Sequence, residues 1–81
     1  MKDEYKVIPD DYINLLYNVK LQRDQAEEKA WKSLAGYKFS MFGYWAAAWV
    51  KYNQLLTQPM RLPNPFKDLV HAAREHIEEK S

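Results

Sequence analysis

The chain has 81 residues, no cysteine and a formal net charge of +1, which limits it to one domain and excludes disulfides, thiolate metal sites and a cysteine nucleophile. A domain of this size buries only about 60% of the surface its unfolded chain exposes, so tight helix packing or self-association has to supply stability. The small net charge conceals three blocks. Residues 1–28 carry Lys2, Lys6, Lys20 and Arg23 against Asp3, Glu4, Asp10, Asp11, Asp24, Glu27 and Glu28. Residues 29–67 carry Lys29, Lys32, Lys38, Lys51, Arg61 and Lys67 with no acid, and residues 68–81 set Arg74 and Lys80 against Asp68, Glu75, Glu78 and Glu79. A cationic, ring-rich middle between acidic ends can face phosphate, a lipid headgroup or an acidic protein surface, or be neutralised by the ends of the same chain or of a twin.

In chain order, residues 1–8 read as an arm. Met1-Lys2-Asp3-Glu4-Tyr5 is charged and lacks the apolar run of a signal peptide, and Tyr5, Val7 and Ile8 can dock without forming an element. Pro9 followed by Asp10 and Asp11 reads as a helix start, with carboxylates at the positive end of the dipole. No further proline occurs until Pro59, so residues 9–56 are expected to form one long helix, bent near Gly36. The alternative is a helical hairpin broken at Gly36, because glycine is the commonest C-terminal cap.

Two features favour continuity. Ala26, Ala30, Ser33, Gly36, Ser40, Gly43 and Ala47 form an unbroken stripe of small residues at steps of three or four. A hairpin would set residues 23–28, within a run (22–29) that is polar nearly all round, against residues 42–50, the most apolar part of the chain. Against it, each interior glycine costs about 1 kcal/mol relative to alanine. Residues 34–50 fall short of the roughly 20 apolar residues of a membrane span and are interrupted by Lys38 and Ser40, so a cytoplasmic location is expected.

Residues 57–64 are a proline-rich linker, and Asn64-Pro65 reads as N-cap and first residue of a helix over 65–79. Phe66, Leu69, Val70, Ala73 and Ile77 give that helix one apolar face, expected to fold back antiparallel over Tyr52, Trp49 and Trp45. The expected fold is thus all-α: a long N-terminal helix, a proline-rich turn and a shorter antiparallel C-terminal helix, dimerising through the small-residue stripe.

Little in the chain points to chemistry. His71 and His76 are five apart and diverge by about 140° on a helix, too far to share a metal. Ser33 and Ser40 have no histidine near them in sequence, the paired carboxylates point apart, and Gly36 and Gly43 form no phosphate-cradling loop. No enzyme, metal or cofactor is expected. The expected function is binding of a protein partner through Trp31, Gly36, Tyr37, Ser40, Gly43, Tyr44, Trp45, Ala47 and Trp49, with Lys38 and Lys51 as steering charges. The alternative is nucleic-acid binding by the basic aromatic middle; a membrane-surface helix ranks third.

Residues 31–50 (WKSLAGYKFSMFGYWAAAWV), after a short acidic helical opening, resemble small accessory proteins encoded by phages and prophages of Gram-positive bacteria. The resemblance is one of length, absence of cysteine, an aromatic helix and a proline-rich turn. It implies a product acting in the host cytoplasm on a host or rival-phage protein, with anti-CRISPRs as one such class. Many of those are strongly acidic DNA mimics. The basic middle departs from that pattern, so steric or allosteric blockade is the form the resemblance implies. No residue roles carry over, because no motif is matched.

Overall fold

The computed structural model describes residues 2–80, and side chains over residues 11–79. Its elements are α1 (Lys2–Ala35), α2 (Phe39–Leu55), a 3₁₀ turn (Gln58–Met60) and α3 (Lys67–Lys80). They form an elongated body of 64 × 25 × 13 Å. The first helix starts at Lys2, so Pro9 lies inside it and the arm expected over residues 1–8 is replaced by helix from its second residue. Docking by Tyr5, Val7 and Ile8 falls outside the described side chains.

The continuous helix over residues 9–56 does not form. The chain turns between Ala35 and Phe39, and α2 packs antiparallel on α1 as a hairpin. The polar run that argued against this arrangement places its few small residues where they matter. Among the residues of α1 with described side chains, Arg23, Ala26 and Ala30, at steps of three and four, are the buried ones (relative exposure 1%, 1% and 0%). Facing them, α2 and its C-cap present Phe42, Trp45, Trp49, Tyr52 and Leu56, again at steps of three and four. This is the seam of a short antiparallel coiled coil, with alanines opposite rings. Trp49, 2% exposed, fits because Ala26 and Ala30 leave it room.

The turn satisfies its own backbone. The Lys38 N–H donates to the Ser33 carbonyl at 2.8 Å and the Tyr37 N–H to that of Leu34 at 3.0 Å. That pairing is a Schellman cap whose left-handed residue is Tyr37, with φ of 61°. Glycine stands one position early: Gly36 does not take the positive φ.

Arg23 ties the hairpin to the linker. Its Nη1 donates to Asn53 Oδ1 at 3.1 Å and to the Met60 carbonyl at 2.8 Å, and its Nε to Asp24 Oδ1 at 3.1 Å. Asn53 in turn pairs with both backbone groups of Leu62, donating from Nδ2 to the carbonyl and accepting the N–H at Oδ1, each at 3.0 Å. Arg61 closes the C-terminus of α2 by donating to the carbonyls of Leu56 (2.9 Å) and Gln54 (3.1 Å). Held this way, the linker returns along the hairpin and delivers Phe66 onto Trp31, Phe42 and Trp49, at ring-centroid distances of 5.0, 5.4 and 6.4 Å.

The last helix starts at Lys67 rather than at Pro65, so Asn64 is not its N-cap; its Oδ1 accepts the Phe66 N–H at 2.8 Å in a turn just ahead of α3. This helix does not fold back over Tyr52, Trp49 and Trp45. Every residue from 67 to 79 is exposed, because α1 and Phe66 already supply the cover those rings need: Ala26, Ala30 and Phe66 at Trp49, and the Lys29 ammonium 4.4 Å from the Trp45 ring.

Asn53→Ala removes three hydrogen bonds and strands both backbone groups of Leu62. Because the site is partly solvated, the expected loss is about 2 kcal/mol, read from urea unfolding monitored by circular dichroism. A loss under about 0.5 kcal/mol, the size of an ordinary surface change, would show that the linker is held by other means.

Candidate interface on the outward face of α2

With Phe42, Trp45, Trp49 and Tyr52 turned toward α1, helical geometry places Ser40, Gly43, Tyr44, Ala47 and Lys51 together on the opposite side of α2. All five are exposed, Tyr44 at 63%. A Cβ added to Gly43 would meet nothing within 4 Å. The face is flat and free of intramolecular cover.

Two recesses flank it. One is an apolar groove of about 390 Å³ between α2 and α3, with Ala46, Ala47 and Val50 on one wall and Leu69, Val70 and Ala73 on the other. Phe42 and Phe66 complete its apolar lining, and Asn64 is the polar member. The other recess, about 280 Å³, lies among Tyr44, Ala48, Lys51 and Tyr52. Ala47 lines both, so it stands on the ridge between them.

The expected interface residues therefore divide. Ser40, Gly43, Tyr44 and Ala47 share the outward face. Tyr37, 81% exposed, sits at the hairpin tip beside Gly36, with its ring edge-on to Phe39 at 6.2 Å. Trp49 is no available anchor: it is core. Trp45 is half-buried, beneath Lys29 and edge-on to Tyr44 at 4.9 Å. Trp31 keeps 38% exposure but is held by its ring contact with Phe66 and by an Nε1 hydrogen bond to Glu27 at 3.2 Å. The small-residue stripe does not form one surface, because the turn divides it. Ala26 and Ala30 are buried inside the hairpin, Ser33 donates from Oγ to the Lys29 carbonyl at 2.8 Å, Gly36 is exposed in the turn, and Ser40, Gly43 and Ala47 face outward on α2.

The basic middle is also partly engaged. Lys29 lies over Trp45, Lys32 pairs with Glu28 at 3.1 Å, and Arg61 caps α2. Lys38 and Lys51 are exposed, and Lys51 borders the smaller recess. His71 and His76 are exposed on α3, and among the described residues no cluster of three or more histidine or acidic side chains assembles a metal site. No helix among them is long and apolar enough to cross a membrane.

The tip is locally unfavourable. A left-handed backbone costs a non-glycine residue roughly 1–2 kcal/mol, and Tyr37 adopts one while most of its side chain is in solvent. Lys38, the N-cap of α2, makes no side-chain cap, and no acid occupies the first turn. Strain of this kind gathers at working surfaces. The groove wall formed by α3 escaped sequence reasoning, because Leu69, Val70 and Ala73 carry the same periodicity whether they cover a core or line a cleft.

No protein-family model, curated protein or solved structure matches the chain.

Tyr37→Gly and Gly43→Ala are each expected to raise stability by about 1 kcal/mol, the first by relieving the left-handed tyrosine and the second by filling open space on a helix. Thermal unfolding of the two variants measures this. Destabilisation by Gly43→Ala would mean that another backbone approaches α2 at that point.

Proposed function

We propose that the protein is a non-enzymatic binding module whose outward α2 face, with the groove beside it, receives an amphipathic helix of a protein partner. The observation that carries this reading is the apolar groove of about 390 Å³, which adjoins the exposed strip of Ser40, Gly43 and Ala47. Small residues let a partner backbone come close, apolar walls accept alternate side chains of a helix, and Tyr44 at the margin provides a rigid ring for contact. Lys38 and Lys51 add positive charge at the tip and along the face, favouring a partner with an acidic rim.

The resemblance to phage accessory proteins supports a host or defence protein as that partner, inhibited by occupation of a surface. Nucleic-acid binding has thinner support, since half of the cations in residues 29–67 already serve rings, acids or helix ends within the fold.

Ala47→Arg places a long cation on the ridge between the recesses without touching the seam. In a tagged capture from nuclease-treated bacterial lysate, the unsubstituted chain is expected to retain one protein in stoichiometric amount, with Ala47→Arg weakening retention at least about tenfold. Capture of nucleic acid alone, seen only without nuclease and abolished by Lys38→Glu with Lys51→Glu, would overturn the reading in favour of the alternative.

A further inference from the structure

The groove beside α2 is a wedge with a fixed vertex. Phe66 meets Phe42 edge-on at 5.4 Å, and both rings line the groove. From that shared end the two walls advance in step: Ala46, Ala47 and Val50 stand four, five and eight positions beyond Phe42, and Leu69, Val70 and Ala73 stand three, four and seven positions beyond Phe66. Two helices that leave one contact and still border one cleft two turns later run in the same general direction, apolar side toward apolar side. The walls are held very differently. α2 is fixed from behind, where Trp49 is buried against α1. α3 is fixed at its root, where Phe66 is buried against Trp31, Phe42 and Trp49, and the linker before it is tied to α2 and its C-cap by Asn53 and Arg61. Beyond that root every residue from 67 to 79 is exposed, Leu69 at 38% and Val70 at 46%.

We infer that α3 is a hinged flap, pivoting at Phe66, that closes on Ala46, Ala47 and Val50 and shuts the groove when no partner helix fills it. Three features favour closure. Apolar surfaces facing each other across water are driven together as their area leaves solvent. Ala46 and Ala47 on one wall and Ala73 on the other have short side chains, so the helix axes can approach closely. The movement is a tilt at the start of a helix, of the kind that element-terminal residues absorb, and it leaves the Phe66 ring contacts and the linker's hydrogen bonds in place. Closure makes the flap a competitor of the partner for one wall. A partner helix must find α3 lifted, so its apparent affinity falls by the fraction of chains that are open. That consequence rests on the binding role proposed for the groove, whereas closure itself belongs to the isolated chain and is measured there.

Because the chain has no cysteine, Lys51→Cys with Glu75→Cys places one nitroxide label on each helix, at exposed positions outside the groove lining. Pulsed electron spin resonance is expected to return two label separations, one for the open groove of this structure and one shorter. Ala47→Arg and Ala73→Asp each put a charge on one wall, and either should remove most of the shorter population, because closure would bury that charge. Circular dichroism checks that both variants keep their helix, and the variant that keeps it decides the matter alone if the other does not. A single separation that neither substitution changes, or two whose proportions neither changes, would show a fixed or freely swinging arm and overturn the inference. Failure of the lysate capture leaves these separations untouched, and a fixed α3 leaves the groove open to a partner, so the two readings fail separately.

Discussion

A guanidinium taken out of water between two helices and a returning linker is the constraint on which the rest of this structure depends. Arg23 is 1% exposed, and a buried cation is tolerated only where acceptors meet it. One acceptor belongs to its neighbour Asp24, one to α2 through Asn53, and one to the linker through the Met60 carbonyl. These can coincide only if α2 runs antiparallel to α1 in this register and the chain then doubles back after Leu56. Asn53 enforces the second condition by holding both backbone groups of Leu62. The path of the linker, the landing of Phe66 on Trp49 and the start of α3 beside Phe42 all follow. Such a bridge contributes little net stability against an apolar replacement. Breaking it by removing one partner is costly, and that asymmetry gives the hairpin a single register.

Size complementarity does the rest. Trp49 is a large ring set against Ala26 and Ala30, and its apolar area is the largest single burial in the core. The fit is not complete, since the Trp49 Nε1 is buried without an acceptor, a penalty of roughly 1–3 kcal/mol that the ring's burial must exceed. The seam takes Phe42, Trp45, Trp49 and Tyr52 to one side of α2, and Ser40, Gly43 and Ala47 fall on the reverse side, exposed beside Tyr44 and Lys51.

How much of this could be read from the residues depended on whether a signal was local. The all-helical class was legible, and so was an interruption at the prolines between α2 and α3, because proline geometry acts within a few residues; the start of α3 was not, since the helix begins at Lys67 rather than Pro65. The hairpin was not. Counting polar residues over 22–29 treated them as one surface, whereas the fold uses only the line of Arg23, Ala26 and Ala30, and the decisive partner, Asn53, lies 30 residues away. Glycine misled for a related reason: Gly36 marks the right turn, but the left-handed residue is Tyr37. On the candidate interface, helical spacing puts Ser40, Gly43 and Ala47 on one stripe, and in the fold these three share an exposed side of α2 with Tyr44. It could not separate Trp49 from them, since a tryptophan in such a helix suits a core and a contact surface equally well.

The exposed parts of the two long helices have different physical origins. Tyr12, Ile13 and Leu15 are exposed on α1 because α2, at 17 residues, is half as long as the 34-residue helix it pairs with, so their exposure is a matter of length. The outward face of α2 is exposed because the seam uses the opposite side of that helix and because Phe66, rather than the body of α3, packs on Trp49. An exposed helix end set by length can be shortened without disturbing the core, whereas the outward face of α2 cannot be separated from it, since every residue there shares its helix with Trp49.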